Sequence, residues 1–314
     1  MKKALKYLIY FFIIVVIGLF ITGKINQDSF SNGSLNHTSS WQGEFLEING
    51  EKIRYLQKGK GQDILLIHGT PGSIEDWKPI IDSLSEQFRI TVFDRPGHGF
   101  STANNYNYTI KENAIIVQQL INQLQLDSIL VIGHSYGGSI AAHLATINAP
   151  KIKSYIIIAS PLYQFNPQAL YKLVSTPIID KGITTIIAKT VASDKIEDGL
   201  SAAFNGNTTF LSKSFLSIRK QLWSQPKVLY ATAKERINYS ENLKEVSNNY
   251  KTISKKVSIL LGTKDNPTII EDCKKLASDI PNAEIHIFKN TAHYIQFERT
   301  RELLNIIKNH AKNK

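Results

Sequence analysis

Four short, nearly uninterrupted apolar runs constrain this chain more than any other feature: "DILLIHG" (63–69), "RITVFD" (89–94), "SILVIG" (128–133) and "KSYIIIAS" (153–160). A strand with one wet face alternates apolar and polar residues, whereas a run lacking a polar face belongs to a strand buried on both sides. The segments between these runs have helical character. One spans about 74–87. "NYTIKENAIIVQQLINQLQL" carries Ile115, Leu120, Ile121 and Leu124 at helical spacing, and "YGGSIAAHLATINAP" is stopped by Pro150. Strands alternating with helices predict an α/β fold, a parallel sheet covered by helices on both faces.

The rhythm extends to both sides. "GEFLEING" and "EKIRYLQKG" read as a hairpin turning at Asn49-Gly50. "KKVSILLG" (255–262), a helix at 268–279, "AEIHIF" (283–288) and a helix from about 294 finish the chain, giving eight strands. Residues 162–225 break the pattern. They contain no buried strand but hold Tyr171, Leu173, Val174, Phe204, Phe210, Phe215, Leu216 and Trp223 at helical spacings. They predict a helical insertion, with helices continuing through 226–250. The core is then 42–161 and 226–314.

The N-terminus stands apart. Three lysines precede an apolar run from Tyr7 to Gly23. Seventeen residues reach about 25 Å as a helix, a little short of the ~30 Å hydrocarbon core, so length leaves both an uncleaved anchor and a cleaved signal peptide open. No A-x-A cleavage pattern and no lipoprotein cysteine follow the run, which favours an anchor at 1–24 with the remainder outside the cytoplasm. Secretion after cleavage is the alternative. The Ser-, Asn- and Gly-rich residues 25–41 read as a flexible tether.

The net charge of +11 includes four lysines flanking that apolar run; the rest are scattered without arginine–aromatic clusters, the pattern of a solvated surface and not of a nucleic-acid face. Cys273 is the single cysteine, so no intrachain disulfide forms, and it falls within an expected helix. No His or carboxylate grouping has metal-ligand spacing. Neither a phosphate loop nor G-x-G-x-x-G occurs, so no cofactor is implied.

Chemistry is carried by Gly133-His134-Ser135-Tyr136-Gly137. A G-x-S-x-G pattern arises by chance in about one chain in ten of this size, so its placement decides. It lies between a buried strand and a helix, where a strained turn pushes a serine hydroxyl above the sheet. A serine needs a base, and the base an orienting acid. Asp265 follows the strand 255–262 and His293 follows the strand 283–288, both at strand ends on the same rim, in the order Ser…Asp…His. The amides of Tyr136 and of Thr70, in "IHGTPGS", are the expected oxyanion donors; Pro71 has no N–H. Asp94, Arg95, His68, His98 and His134 read as structural loop or rim residues, and His143 as a packed helix residue.

"HGTPGS", "DRPGHGFS", "GHSYGGS", "LGTKD" and the late His293 together resemble the α/β-hydrolase superfamily over about residues 43–311. The resemblance implies a mostly parallel eight-stranded sheet flanked by helices, with 162–225 as a helical cap. It also implies a serine hydrolase acting on an ester-like, small-molecule or lipid-like substrate. Dehalogenases and epoxide hydrolases of the superfamily place aspartate where Ser135 stands, which argues against both. Acyl transfer, carbon–carbon hydrolysis and a catalytically silent binding protein stay open. Within the cap, Phe204, Phe210, Phe215 and Trp223 are expected either to meet an acyl chain or to pack the cap onto the core.

Overall fold

A computed structural model describes residues 2–31, 43–104, 106–165 and 169–312; tether residues 32–41 lie outside the described residues. Helix α1 (Lys2–Ile25) and a single turn, α2 (Asp28–Ser31), precede the hairpin β1 (Glu44–Ile48) and β2 (Glu51–Lys58). The alternating part follows as β3 (Gln62–Ile67), α3 (Lys78–Ser85), β4 (Phe88–Phe93), α4 (Ile110–Gln123), β5 (Ile129–His134), α5 (Tyr136–Thr146) and β6 (Ile152–Ile158). Next come α6 (Ala169–Val174), α7 (Asp180–Thr190), α8 (Ala192–Ala203), α9 (Lys213–Trp223) and α10 (Pro226–Ser247), with no strand between them among the described residues. The chain returns to the sheet with β7 (Lys256–Gly262), α11 (Pro267–Asp279), β8 (Ala283–Phe288), α12 (Ile295–Glu298) and α13 (Thr300–Lys312).

The eight strands form one sheet in the order β1-β2-β4-β3-β5-β6-β7-β8. Only β1–β2 and β2–β4 pair antiparallel; every other neighbour is parallel. Side chains leave a strand alternately to its two faces, so each apolar run feeds two cores. Ile64 and Leu66 of β3, with Leu130 and Ile132 of β5, pack against α3 and α13. Leu65, Ile67, Ile129 and Val131 pack against α4, α5, α10 and α11. That two-sided burial explains why these strands show no polar face. The Asn49-Gly50 turn has φ of 53° and 77° at its two residues, as a two-residue hairpin loop requires.

Local chemistry refines several elements. The helical stretch at 74–87 divides into a 3₁₀ turn (Ile74–Trp77) and α3, because the Asp76 carboxylate accepts the Ser73 N–H and Pro79 opens the new helix. Ile115 faces solvent; Ile110, Ile116, Val117, Leu120 and Ile121 form the inward stripe of α4. The last helix breaks at Arg299, whose φ of −132° is not helical. Within the expected tether, α2 is ordered and buries Phe30 edge-on against Tyr230, 5.7 Å between ring centroids.

Helix α10 belongs to both parts of the molecule. Tyr239, Leu243 and Val246 pack on the sheet, while its first turns lie beside the other inserted helices. A fully buried ion pair fixes it: Arg95, just after β4, binds the Glu235 carboxylate through both terminal guanidinium nitrogens, and His98 lies 3.2 Å from the same carboxylate. Burial alone would raise the Glu235 carboxyl, but Arg95 and then His98 outweigh it and hold it at about 2. A depressed carboxyl contributes stability that is complete above its unfolded value, near 4.5, and is lost as pH falls toward 2. Glu235→Gln should therefore lower unfolding free energy by about 3 kcal/mol at neutral pH and flatten the acid limb between pH 4.5 and 2. Urea unfolding across that range checks both effects.

Candidate active site

β5 ends at His134 and α5 begins at Tyr136, so Ser135 alone makes the turn. Its φ of 53° and ψ of −123° are unusual for a residue with a side chain and cost about 1–3 kcal/mol. The surroundings impose this conformation. The Ser135 N–H donates to Ile158 O of β6 (2.9 Å), and its carbonyl accepts from the Gly138 and Ser139 amides. Close approach explains the glycine two residues later, since a Cβ on Gly137 would lie 2.2 Å from Ile67 O. Ser135 is only 9% exposed and sits at the positive end of α5.

The other two residues come from the adjoining strand ends. The His293 Nδ1–H donates to the Asp265 carboxylate, 2.9 Å from Oδ2 and 3.2 Å from Oδ1. Asp265 Oδ1 also accepts the Asn266 N–H (2.7 Å). The side chains are 4% exposed at Asp265 and 16% at His293, so the imidazole reaches open space and the carboxylate does not. Ser135 and His293 line one cavity of about 640 Å³, together with Gly69 and Thr70. The Thr70 and Tyr136 amides donate to no acceptor among the described residues. The structure thus brings Ser135, His293 and Thr70 to one cavity, with Tyr136 N–H at the same turn and Asp265 behind the imidazole.

Arg95 shapes the loop that carries Thr70. Its guanidinium donates to Gly69 O (2.8 Å) and His68 O (3.1 Å), and its backbone N–H donates to His68 Nε2 (2.9 Å). The His68 Nδ1–H closes the loop onto Gly69 O (2.8 Å). Asp94 accepts amides from Ile74 and Phe100, and pairs with Arg54. Both residues are therefore scaffold. His134 stands behind the imidazole, its Nε2–H donating to His293 O (3.0 Å). Burial, and then the neighbouring His293, push His134 well below the usual histidine range and keep it neutral. His143 is half-buried on α5 and lines no part of the cavity. Cys273 is buried on α11, and burial pushes its thiol up to about 12. Among the described residues no three His, Cys, Asp or Glu side chains cluster so as to hold a metal.

The inserted helices roof the cavity with Val174, Ile187, Val191, Ile196, Leu200 and Leu229. Of the four aromatics expected there, only Trp223 lines it. Phe204 and Phe215 pack with Phe100 and Tyr294 in a cluster between insertion and core, with Phe210 against its edge; the cluster shares Trp223, Leu200 and Tyr294 with the cavity wall. Phe204 stacks on Tyr294, 5.0 Å between centroids, and the His293 N–H donates to Ala203 O (3.0 Å). Arg219 of α9 pairs with Asp76 (2.7 Å), both side chains being 2% exposed. Sequence reading missed Glu235, Arg219 and also Arg236, which lies on the cavity wall and has no ion-pair partner among the described residues.

The model of the α/β-hydrolase fold matches residues 64–300. The soluble epoxide hydrolase of Corynebacterium sp. strain C12 is 33% identical over 111 residues, 35% of this chain, which spans 39% of that relative's length. The cis-3-alkyl-4-alkyloxetan-2-one decarboxylase of Shewanella oneidensis is 22% identical over 84% of this chain and 86% of its own. The crystal structure of the enol-lactonase from Burkholderia xenovorans LB400 superposes with a TM-score of 0.71 at 21% identity, covering 85% of this chain and 98% of that one. The sheet order and these matches agree: the chain belongs to the α/β-hydrolase fold family.

Proposed function

We propose that the protein is a serine hydrolase that cleaves an ester-like substrate through an acyl-enzyme, with the inserted helices as its cap. The observation that carries this reading is Ser135 in a left-handed turn on the cavity floor, sharing that cavity with an imidazole whose Nδ1 is held by a shielded carboxylate. The Asp265 bond assigns the proton to Nδ1 and leaves Nε2 free to accept one. In the first half-reaction His293 Nε2 takes the Ser135 hydroxyl proton as Oγ attacks the carbonyl carbon. The developing oxyanion receives the Thr70 and Tyr136 N–H groups, and Asp265 stabilises the imidazolium. His293 then gives its proton to the departing alkoxide. In the second half-reaction water repeats the attack, with His293 again as base. A hydroxyl rather than a carboxylate at the elbow supports acyl chemistry over epoxide or haloalkane opening.

The same reading places the enzyme at a membrane through α1. This helix has 24 residues, about 36 Å of rise; an 18-residue window within Lys3–Ile25 has a mean hydropathy of 2.5 and is not buried, whereas Gly23, near the end of the helix, is buried. It meets the cap closely: a Cβ on Gly182 of α7 would lie 2.0 Å from Leu19 O, and Lys189 Nζ lies 3.0 Å from Asn26 Oδ1. Cleavage would remove a helix against which α7 is fitted, which supports an uncleaved anchor over a signal peptide. Leu173, Ile178, Ile186 and Val191 leave apolar surface exposed on these cap helices and their connections, and Lys172, Lys181 and Lys189 suit anionic headgroups. A small lipid-like ester fits a site in this position.

Two pairs of measurements test these statements. A fluorophosphonate probe should label the full chain and fail on Ser135→Ala and His293→Ala, and hydrolysis of p-nitrophenyl butyrate should fall by at least about 10³-fold in each. Asp265→Asn, which keeps shape but disturbs the imidazole tautomer, should cost about 10⁴-fold. A wild-type chain that neither labels nor turns over the ester is a binding protein. Separately, the protein should stay in the membrane pellet after alkaline carbonate, with Edman sequencing starting at residue 1 or 2; a start near 24 or 32 sinks the anchor.

A further inference from the structure

The cavity wall is mostly apolar, which makes its few polar groups informative. Four of its residues carry a buried polar atom with no hydrogen-bond partner among the described residues: Thr70 Oγ1, Trp223 Nε1, Thr232 Oγ1 and Arg236 Nε. Thr70 adjoins the nucleophile. Thr232 and Arg236 stand together on α10, one turn apart, on the stripe that also sends Leu229 and Ala233 to the wall.

Arg236 differs from the three buried arginines. Arg54, Arg95 and Arg219 each pair with carboxylates. Arg236 has none among the described residues; the Tyr171 ring centre lies 5.9 Å from Cζ, and the buried Nε–H finds no acceptor among the described residues. Lys195, the other cation on the wall, is paired with Asp198 (3.0 Å). A half-buried guanidinium in apolar surroundings gives up hydration and recovers little without an anion. The helix holding it is fixed, because the preceding residue is Glu235 in its buried pair with Arg95.

We infer that the acyl part of the substrate ends in a carboxylate, bound by the Arg236 guanidinium and the Thr232 hydroxyl while the apolar roof covers the carbons between that end and the scissile carbonyl. The inference rests on the serine-hydrolase reading. A planar carboxylate matches the guanidinium fork, and a monoanion balances one unpaired cation, whereas a phosphate dianion would remain half-compensated. Thr232 supplies the neutral donor that a second carboxylate oxygen needs.

The test uses the full chain in detergent with two matched series of p-nitrophenyl esters. One is the mono-esters of glutaric, adipic, pimelic and suberic acids; the other is neutral acyl esters of the same lengths. At least one half-ester should exceed its neutral counterpart in kcat/KM. Arg236→Gln should lower the ratio of half-ester to neutral ester by about 10–100-fold, and Arg236→Lys should restore part of it. Thermal unfolding checks that each variant is folded. An Arg236→Gln ratio equal to wild type, or neutral esters preferred at every length, overturns the carboxylate site while leaving the hydrolase standing. A wild-type chain inert to both series and to the fluorophosphonate probe removes the hydrolase reading and this one with it.

Discussion

The buried pair between Arg95 and Glu235 holds together parts of the chain 140 residues apart. On one side the guanidinium carries the carbonyls of His68 and Gly69, hence the loop that presents Thr70. Its Cζ also lies 4.6 Å from the centre of the Tyr136 ring, at the start of α5. On the other side Glu235 fixes α10, and with it the wall that carries Thr232 and Arg236. Two desolvated charges gain little net stability over apolar residues of equal volume. Apolar residues, however, have no donors with which to orient two carbonyls. The pair therefore acts on geometry: it sets where the loop amide beside Ser135 stands relative to the far wall of the cavity.

The parts of this arrangement that were legible in the sequence are those governed by local or periodic rules. Strands β3 to β7 announce themselves because burial on both faces removes polar residues from them. Ser135 is legible because a strand-to-helix reversal on one residue demands small neighbours at Gly133 and Gly137. Asp265 and His293 are legible because strand ends deliver them to one rim. Glu235, Arg219 and Arg236 obey no such rule. Lys234-Glu235-Arg236 reads as the solvated face of a helix, yet Glu235 is fully buried, and Arg219 likewise finds Asp76 only through the tertiary fold. Aromatic content misleads in the same way. It marks Phe204 and Phe215 as buried without telling whether a cavity or another side chain buries them.

The inserted helices are not attached evenly. Arg219–Asp76, Arg95–Glu235, the His293 N–H to Ala203 O bond and the Phe204–Tyr294 stack all join α8's end, α9 and α10 to the sheet domain or to the loop of the imidazole. Separating those elements would expose charges that are now fully desolvated, and would pull directly on His293. Helices α6 and α7 have no comparable buried ion pair to the sheet among the described residues; Lys234–Asp180 ties α7 to α10, and α1 lies on its other side. Helices α6 and α7 supply Val174, Thr184 and Ile187 to the roof, and Leu173 and Ile186 face outward from them. The inserted elements that make no bond to the loop of His293 are therefore those on the side of the apolar N-terminal helix.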